Sequence, residues 1–400
     1  VLILDSIQTL ACGGLFLLVG YAIRRRVPLL MRFSIPAPVI GGLLVALLML
    51  ACRHWDVTPI RFDTAWQQPL MIAFFTGIGF NASATLLKVG GRQILLFLAL
   101  ASVLAVVQNL LGIGMARAFG LPPLFGVVTG SVTLAGGPAT GMAFAPLFER
   151  VGVHGAQSVA LANAMAGIVL GSIFGSPIAA MLIERHGLRP AATTASADTP
   201  APMAATAPEQ RTADPAYGGL KSLVYMLLAM GIGAWIGDGL GRLGVTLPSY
   251  IGAMLVGAII RNIDDRLGWF GLSTRAMELI GNTALSLFLV VALMNLHLWD
   301  LAGLALPLLA NLAVQSILVL AFCCWPLLQL MGRDYDAAVM ASGFTGFMLG
   351  TTANAVACMS SLTERYGPAP RAFLVAPVVG AFLIDFTNAI IITGFVNVWH

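Results

Sequence analysis

Stretch after stretch of this chain stays apolar for about the 20 residues that a helix needs to cross a bilayer. Almost nothing ionisable interrupts those stretches. With 400 residues, 58% of them hydrophobic and 10% charged, and a mean hydropathy of +0.91, the chain is unlike a water-soluble protein. Soluble domains carry about a quarter charged residues. In lipid a helix satisfies its own backbone N–H and C=O groups, so the fold class is an all-α polytopic membrane protein. Spans are expected at 3–23, 35–52, 69–87, 93–116 and 155–184, then at 219–241, 247–261, 277–298, 303–331 and 371–398, ten in all. Residues 3–23, followed by Arg24, Arg25 and Arg26, read as a first span with a cytoplasmic anchor rather than a cleaved leader. The net charge of +4 reports loop topology in such a chain and implies no nucleic-acid partner. The five cysteines lie in or beside apolar stretches and read as small buried hydrophobes.

A stretch at 187–216, rich in Ala, Pro and Thr, reads as a flexible polar linker between two similar halves, 1–186 and 217–400. Thr246-Leu247-Pro248 echoes Ser34-Ile35-Pro36, Val314-Gln315-Ser316 echoes Val107-Gln108-Asn109, and Glu364-Arg365-Tyr366-Gly367 echoes Glu149-Arg150-Val151-Gly152. Each pair lies about 210 residues apart, as one duplicated unit requires. Five spans per half is an odd number, so the second half must enter the membrane in the opposite sense, giving an inverted repeat. Charge supports this: with the N-terminus outside, sixteen of the 21 Lys and Arg side chains fall in cytoplasmic segments. Both termini are then periplasmic and the linker cytoplasmic.

Two segments, 120–148 and 335–362, are apolar but broken by small polar residues, and they read as re-entrant hairpins, one in each half. Irregular backbone survives at membrane depth only where protein covers it or where it lines a cavity. Paired breaks in the two halves of a chain mark the binding site of a secondary transporter. The substrate-binding candidates are Ser131, Thr133, Gly136, Gly137 and Thr140 in the first break, and Thr345, Gly346, Gly350, Thr351, Thr352 and Asn354 in the second. Exposed N–H groups at a broken helix hold a carboxylate without any arginine. Asn163 joins them, because it follows the first hairpin as Asp385 follows the second. Asp385 is the one carboxylate placed deep in a span, and Asn388 lies one turn on; together they suit Na⁺. Gln108, Asn109, Asn295 and Gln315 read as interhelical hydrogen-bonding groups. No nucleotide loop, nucleophile elbow or metal triad is present in the sequence, so the chain is not read as an enzyme or as an ATP-driven pump.

At these residues the chain resembles the bacterial sodium/glutamate symporter family along nearly its whole length. The likeness is carried by Ile35-Pro36-Ala37-Pro38-Val39, Gln108-Asn109 with Gly112-Ile113-Gly114-Met115, Leu285-Ser286-Leu287-Phe288-Leu289, Tyr335-Asp336-Ala337-Ala338-Val339, Thr363-Glu364-Arg365-Tyr366-Gly367-Pro368, and Val379-Gly380-Ala381-Phe382 leading to Asp385 and Asn388. The resemblance implies Na⁺-coupled glutamate uptake at the bacterial inner membrane, ten spans, two re-entrant loops, and a homodimer working as an elevator. The chain departs from the family pattern in both breaks. Ala135-Gly136-Gly137-Pro138-Ala139-Thr140-Gly141 replaces Ser-Gly-Gly-His-Gly-Thr-Gly, and Gly350-Thr351-Thr352-Ala353-Asn354-Ala355 replaces Gly-Ala-Thr-Pro-Thr-Ala. The substrate is therefore glutamate, a related acidic amino acid or a small carboxylate. A proton-coupled carboxylate carrier or a sodium/proton antiporter, with Asp385 as the proton site, is the alternative.

Overall fold

The computed structural model describes residues 3–54, 60–190, 215–242, 249–296 and 303–399. The linker expected at 187–216 lies almost wholly outside the described residues. In the first half, α1 (Ser6–Arg26), α2 (Pro28–Arg32), α3 (Ala37–His54) and α4 (Gln67–Asn81) precede α5 (Ala84–Ala118), α6 (Pro123–Val127), α7 (Gly137–Arg150) and α8 (Ala156–His186). In the second, α9 (Pro215–Arg242), α10 (Ser249–Leu267) and α11 (Thr274–Met294) precede α12 (Ala305–Phe322), α13 (Leu328–Leu330), α14 (Tyr335–Met348), α15 (Thr352–Tyr366), α16 (Pro370–Val378) and α17 (Ile384–Trp399). A short parallel ladder pairs Ile3–Leu4 with Arg61–Phe62.

Among the described residues, six helices are long and apolar enough to cross a membrane: Ser6–Arg26, Gly91–Ala118, Ala156–His186, Tyr217–Gly237, Thr274–Met294 and Ala305–Leu330. The other expected spans are shorter or broken, for local reasons. The run at 69–87 is interrupted after Asn81, where Asn262 donates to the Ala82 carbonyl and accepts from the Ala84 amide. The run at 371–398 is divided by a wide π-type turn over Val379–Leu383. α10 ends in Arg261, Asp264, Asp265 and Arg266, which serve the loop after it: Asp264 accepts from the amides of Phe270, Gly271 and Leu272. Large apolar side chains such as Leu227, Trp235, Leu306 and Ile317 stand on the outside, an exterior suited to lipid rather than water.

The helices sort into two bundles. α1, α3, α4, α9, α10 and α11 pack together, while α5 to α8 pack with α12 to α17. Glycines let the first bundle close backbone on backbone. A Cβ on Gly20 would meet the Ala37 oxygen at 2.3 Å, and one on Gly41 would meet the Phe16 oxygen at 2.2 Å. Gly233 and Gly252 make the matching contact between α9 and α10, where a Cβ on Gly252 would lie 2.4 Å from the Gly233 oxygen. Between the bundles the contact is apolar and aromatic. Tyr250 of α10, stacked within the first bundle on Phe75 of α4 at 4.5 Å, meets Phe144 of α7 in the second edge-on at 5.3 Å. The chain changes bundle three times, at Ala82–Gly91, between α8 and α9, and between α11 and α12. α5 leaves helical geometry at Gly91 (φ 55, ψ −145).

Candidate functional site

Both broken segments keep their interruption inside the second bundle, and the two interruptions touch. In the first, α6 runs into a wide π-type turn over Val128–Val132, with Gly130 at φ −98, ψ −128. α7 then starts at Gly137, whose φ of +64 favours glycine, followed at once by Pro138. In the second, α14 runs to Met348, and α15 starts at Thr352 after Thr351, whose hydroxyl caps the amide of Asn354. A Cβ on Gly137 would lie 3.3 Å from the Gly350 carbonyl oxygen and 3.5 Å from Thr351 Cγ2. The N-terminal ends of α7 and α15 therefore abut. First-turn N–H groups have no partner within their own helix, and each such end carries partial positive charge. Gly136, Ala139, Thr351 and Thr352 are partly exposed and Ala353 is exposed, so the junction is accessible although its supports are buried.

Those supports are amides. Four asparagines from four helices hold Thr129–Ser131 of the first break. Asn109 of α5 accepts from the Ser131 amide at 2.8 Å, and Asn388 of α17 donates to the Ser131 carbonyl at 2.9 Å. Asn163 of α8 and Asn311 of α12 both donate to the Thr129 carbonyl, at 3.1 and 2.9 Å. Asn163 also donates to Thr133 Oγ1 at 2.8 Å, and that hydroxyl donates to the Val128 carbonyl at 2.7 Å. The second break is held by Gln108, which donates to the Met348 carbonyl at 3.1 Å, and by Thr352, which donates to the Gly380 carbonyl. Asn354 donates to the Ile168 carbonyl of α8 at 2.9 Å, and Gln315 donates to the Gln108 carbonyl at 2.7 Å. The side-chain oxygens of Asn163, Asn311, Asn354 and Asn388, and the Ser131 hydroxyl, are buried and accept nothing among the described residues.

The structure brings Ser131, Gly136, Gly137 and Thr140 to the tip of the first break and Gly350, Thr351, Thr352 and Asn354 to the tip of the second. Thr133 sits one step back, beneath Asn163. Thr345 and Gly346 lie inside α14: Thr345 bonds the Ala341 carbonyl, and Gly346 lets the α15 backbone at Ala355 pack close. Asn388 reaches the first break directly. Asp385 lies one turn earlier on α17, partly exposed, with no hydrogen bond or ion pair among the described residues. Asn311 was not among the residues singled out from the sequence, and Asn109 was read there only as an interhelical bond. Both are polar islands in apolar helices, and that is the one signal the sequence offers for them. The arrangement presents positive helix ends and hydroxyls to an anion, and neutral oxygens to a small hard cation.

The profile of the sodium/glutamate symporter family matches residues 2–368. This chain belongs to that family. It is 41% identical to the sodium/glutamate symporter of Escherichia coli (strain K12) over 390 residues, 97% of this chain and 96% of the relative. It is 37% identical to the sodium/glutamate symporter of Haemophilus influenzae over 386 residues, 96% of this chain and 95% of the relative. The family consists of transporters rather than enzymes, and the chain is a multi-pass membrane protein.

Proposed function

We propose that this chain imports glutamate, or a related acidic amino acid, together with Na⁺ across the bacterial inner membrane. One observation carries the reading: the N-termini of α7 and α15 abut at Gly137 and Gly350. Two positive helix ends and the hydroxyls of Ser131, Thr140, Thr351 and Thr352 suit the carboxylates of such a substrate. This does the work of an arginine; Pro138 has no N–H, so at the α7 end the work falls to the amides of Gly137 and Ala139. Na⁺ is held near Asp385 and Asn388, the cation offsetting the anion's charge, so each ligand raises affinity for the other.

In this reading the chain has ten spans in two inverted halves, 1–186 and 217–400, with α6–α7 and α14–α15 as re-entrant hairpins entering from opposite faces. The matching glycine crossings at Gly20–Gly41 and Gly233–Gly252 support the duplication. Both termini are periplasmic. The protein is a homodimer, in which the first bundle is the fixed frame and the second, carrying both hairpins, moves as an elevator. The division of the helices into two bundles with an apolar seam supports that motion. Proton coupling through Asp385 is the competing reading, favoured by the absence of any partner for that carboxylate among the described residues. Uptake of labelled glutamate into proteoliposomes separates them. Accumulation that collapses when choline replaces Na⁺ at constant pH supports the sodium reading; accumulation that persists defeats it.

A further inference from the structure

We infer that the first break holds a second Na⁺, bound without any carboxylate by Thr129, Thr133, Asn163 and Asn311. This rests on the sodium-coupled reading but uses ligands other than Asp385 and Asn388. Two amide NH₂ groups, arriving from different helices, converge on one carbonyl, that of Thr129, at 3.1 and 2.9 Å. Asn163 also reaches the Thr133 hydroxyl at 2.8 Å, which itself lies 2.7 Å from the Val128 carbonyl. Every one of these side chains is nearly solvent-free: Thr129 and Thr133 are 0% exposed, Asn163 and Asn311 are 2% exposed. Each asparagine leaves its oxygen buried and unpartnered. A buried acceptor without a donor is costly, and here the cost is incurred twice at one point.

The arrangement makes sense as one of two states. With the NH₂ groups inward, the amides satisfy the Thr129 carbonyl and abandon their own oxygens. Turned over, the same amides would face the Thr129 carbonyl with oxygens, which is repulsive unless a cation sits among them. A cage of neutral oxygens suits a monovalent hard ion; Ca²⁺ and Mg²⁺ sites are built with carboxylates. It holds no group that titrates, so a proton cannot replace the ion there. Unwound backbone carbonyls are a recurrent source of ligands for Na⁺ in transporters of broken-helix design. The ion would tie the first break to α8 of its own half and to α12 of the other. Its departure would free Gly130–Gly137, the segment that presents the first helix end to the substrate. Thr133 and Asn163 then act on the cation rather than on the substrate.

The test uses the purified full chain in detergent, with radioactive Na⁺ alone and no substrate. Asn311→Asp keeps the shape but always presents oxygen and adds charge. The site predicts that half-saturating Na⁺ falls about tenfold or more in this variant. Asn311→Leu should lose one equivalent of bound Na⁺ per protomer. Thr133→Val, which keeps volume and removes one ligand, provides a second reading if either variant fails to fold, and should weaken the same equivalent. Unchanged Na⁺ equivalents and half-saturation in the folded variants would overturn the proposal and leave Asn311 a plain donor. Sodium-independent uptake by the unaltered chain would defeat the sodium reading as a whole. Sodium-coupled uptake with unaltered binding in the variants would defeat this cage alone.

Discussion

Replacing Gly137 with alanine isolates what the meeting of the two helix ends is worth. Gly137 has φ +64, and an alanine in the left-handed region costs about 1–2 kcal/mol. Its Cβ would also press the Gly350 oxygen at 3.3 Å, a contact tight enough to push the two tips apart. Gly187 supplies the control, since it caps the C-terminal end of α8 at φ +59, ψ +32 with nothing within 4 Å of a Cβ. Gly187→Ala therefore carries the backbone cost without the crowding. For Gly137→Ala the strain falls on the tip proposed to bind substrate, and 1–2 kcal/mol corresponds to about a 5- to 30-fold change in an equilibrium constant. The expected result is a rise of that size in half-saturating glutamate for uptake into proteoliposomes at fixed Na⁺. Gly187→Ala should leave that value within about twofold while lowering thermal stability by a similar free energy. If Gly137→Ala bound substrate as the unaltered chain does, the helix ends would not be where the carboxylates sit.

Tyr250 is 1% exposed and its hydroxyl has no hydrogen-bond partner among the described residues, so Tyr250→Phe should raise stability by up to about 1–3 kcal/mol; a lowered melting temperature in detergent would mean the hydroxyl has a partner. Gly126 and Gly112 bring α6 and α5 into backbone contact, with a Cβ on Gly126 only 2.0 Å from the Gly112 carbonyl carbon; Gly126→Ala should abolish a monodisperse size-exclusion peak, and normal folding would show the two helices can separate. Glu184 and Arg365 pair at 3.6 Å with side chains 61% and 69% exposed, so Glu184→Gln should change stability by less than about 1 kcal/mol and leave uptake unaltered. A larger loss would show that this end of α15 is held more firmly than an exposed ion pair allows.

What could be read from the sequence follows from how local each cause is. Gly136-Gly137-Pro138 and Gly350-Thr351 announce a chain break by their own chemistry, and both breaks appear where those residues stand. Asn388 was legible because it lies one turn from a carboxylate set in an apolar span. Asn311 was not, since its partner Thr129 lies 182 residues earlier and no spacing rule links them. The extent of the second break was misread for a similar reason. Thr345 and Gly346 look like breakers, yet Thr345 bonds back to Ala341 and Gly346 is small to admit α15, so both stay helical. The span at 69–87 was drawn too long because hydropathy averages across Ala82–Ser83. That interruption is made by Asn262, a side chain from the other half of the sequence.

The same asparagine has a mechanical consequence. It anchors the chain at Ala82–Ala84, and the next departure from helical geometry is Gly91. Between these points runs a short helical crank, Ala84–Gly90, about 10 Å long at the rise of an α-helix. A crank turning about a fixed end displaces its far end by at most twice its own length, about 20 Å. Under the proposed elevator motion, that bounds the stroke on this side without unmaking the anchor, and it falls short of the roughly 30 Å hydrocarbon thickness.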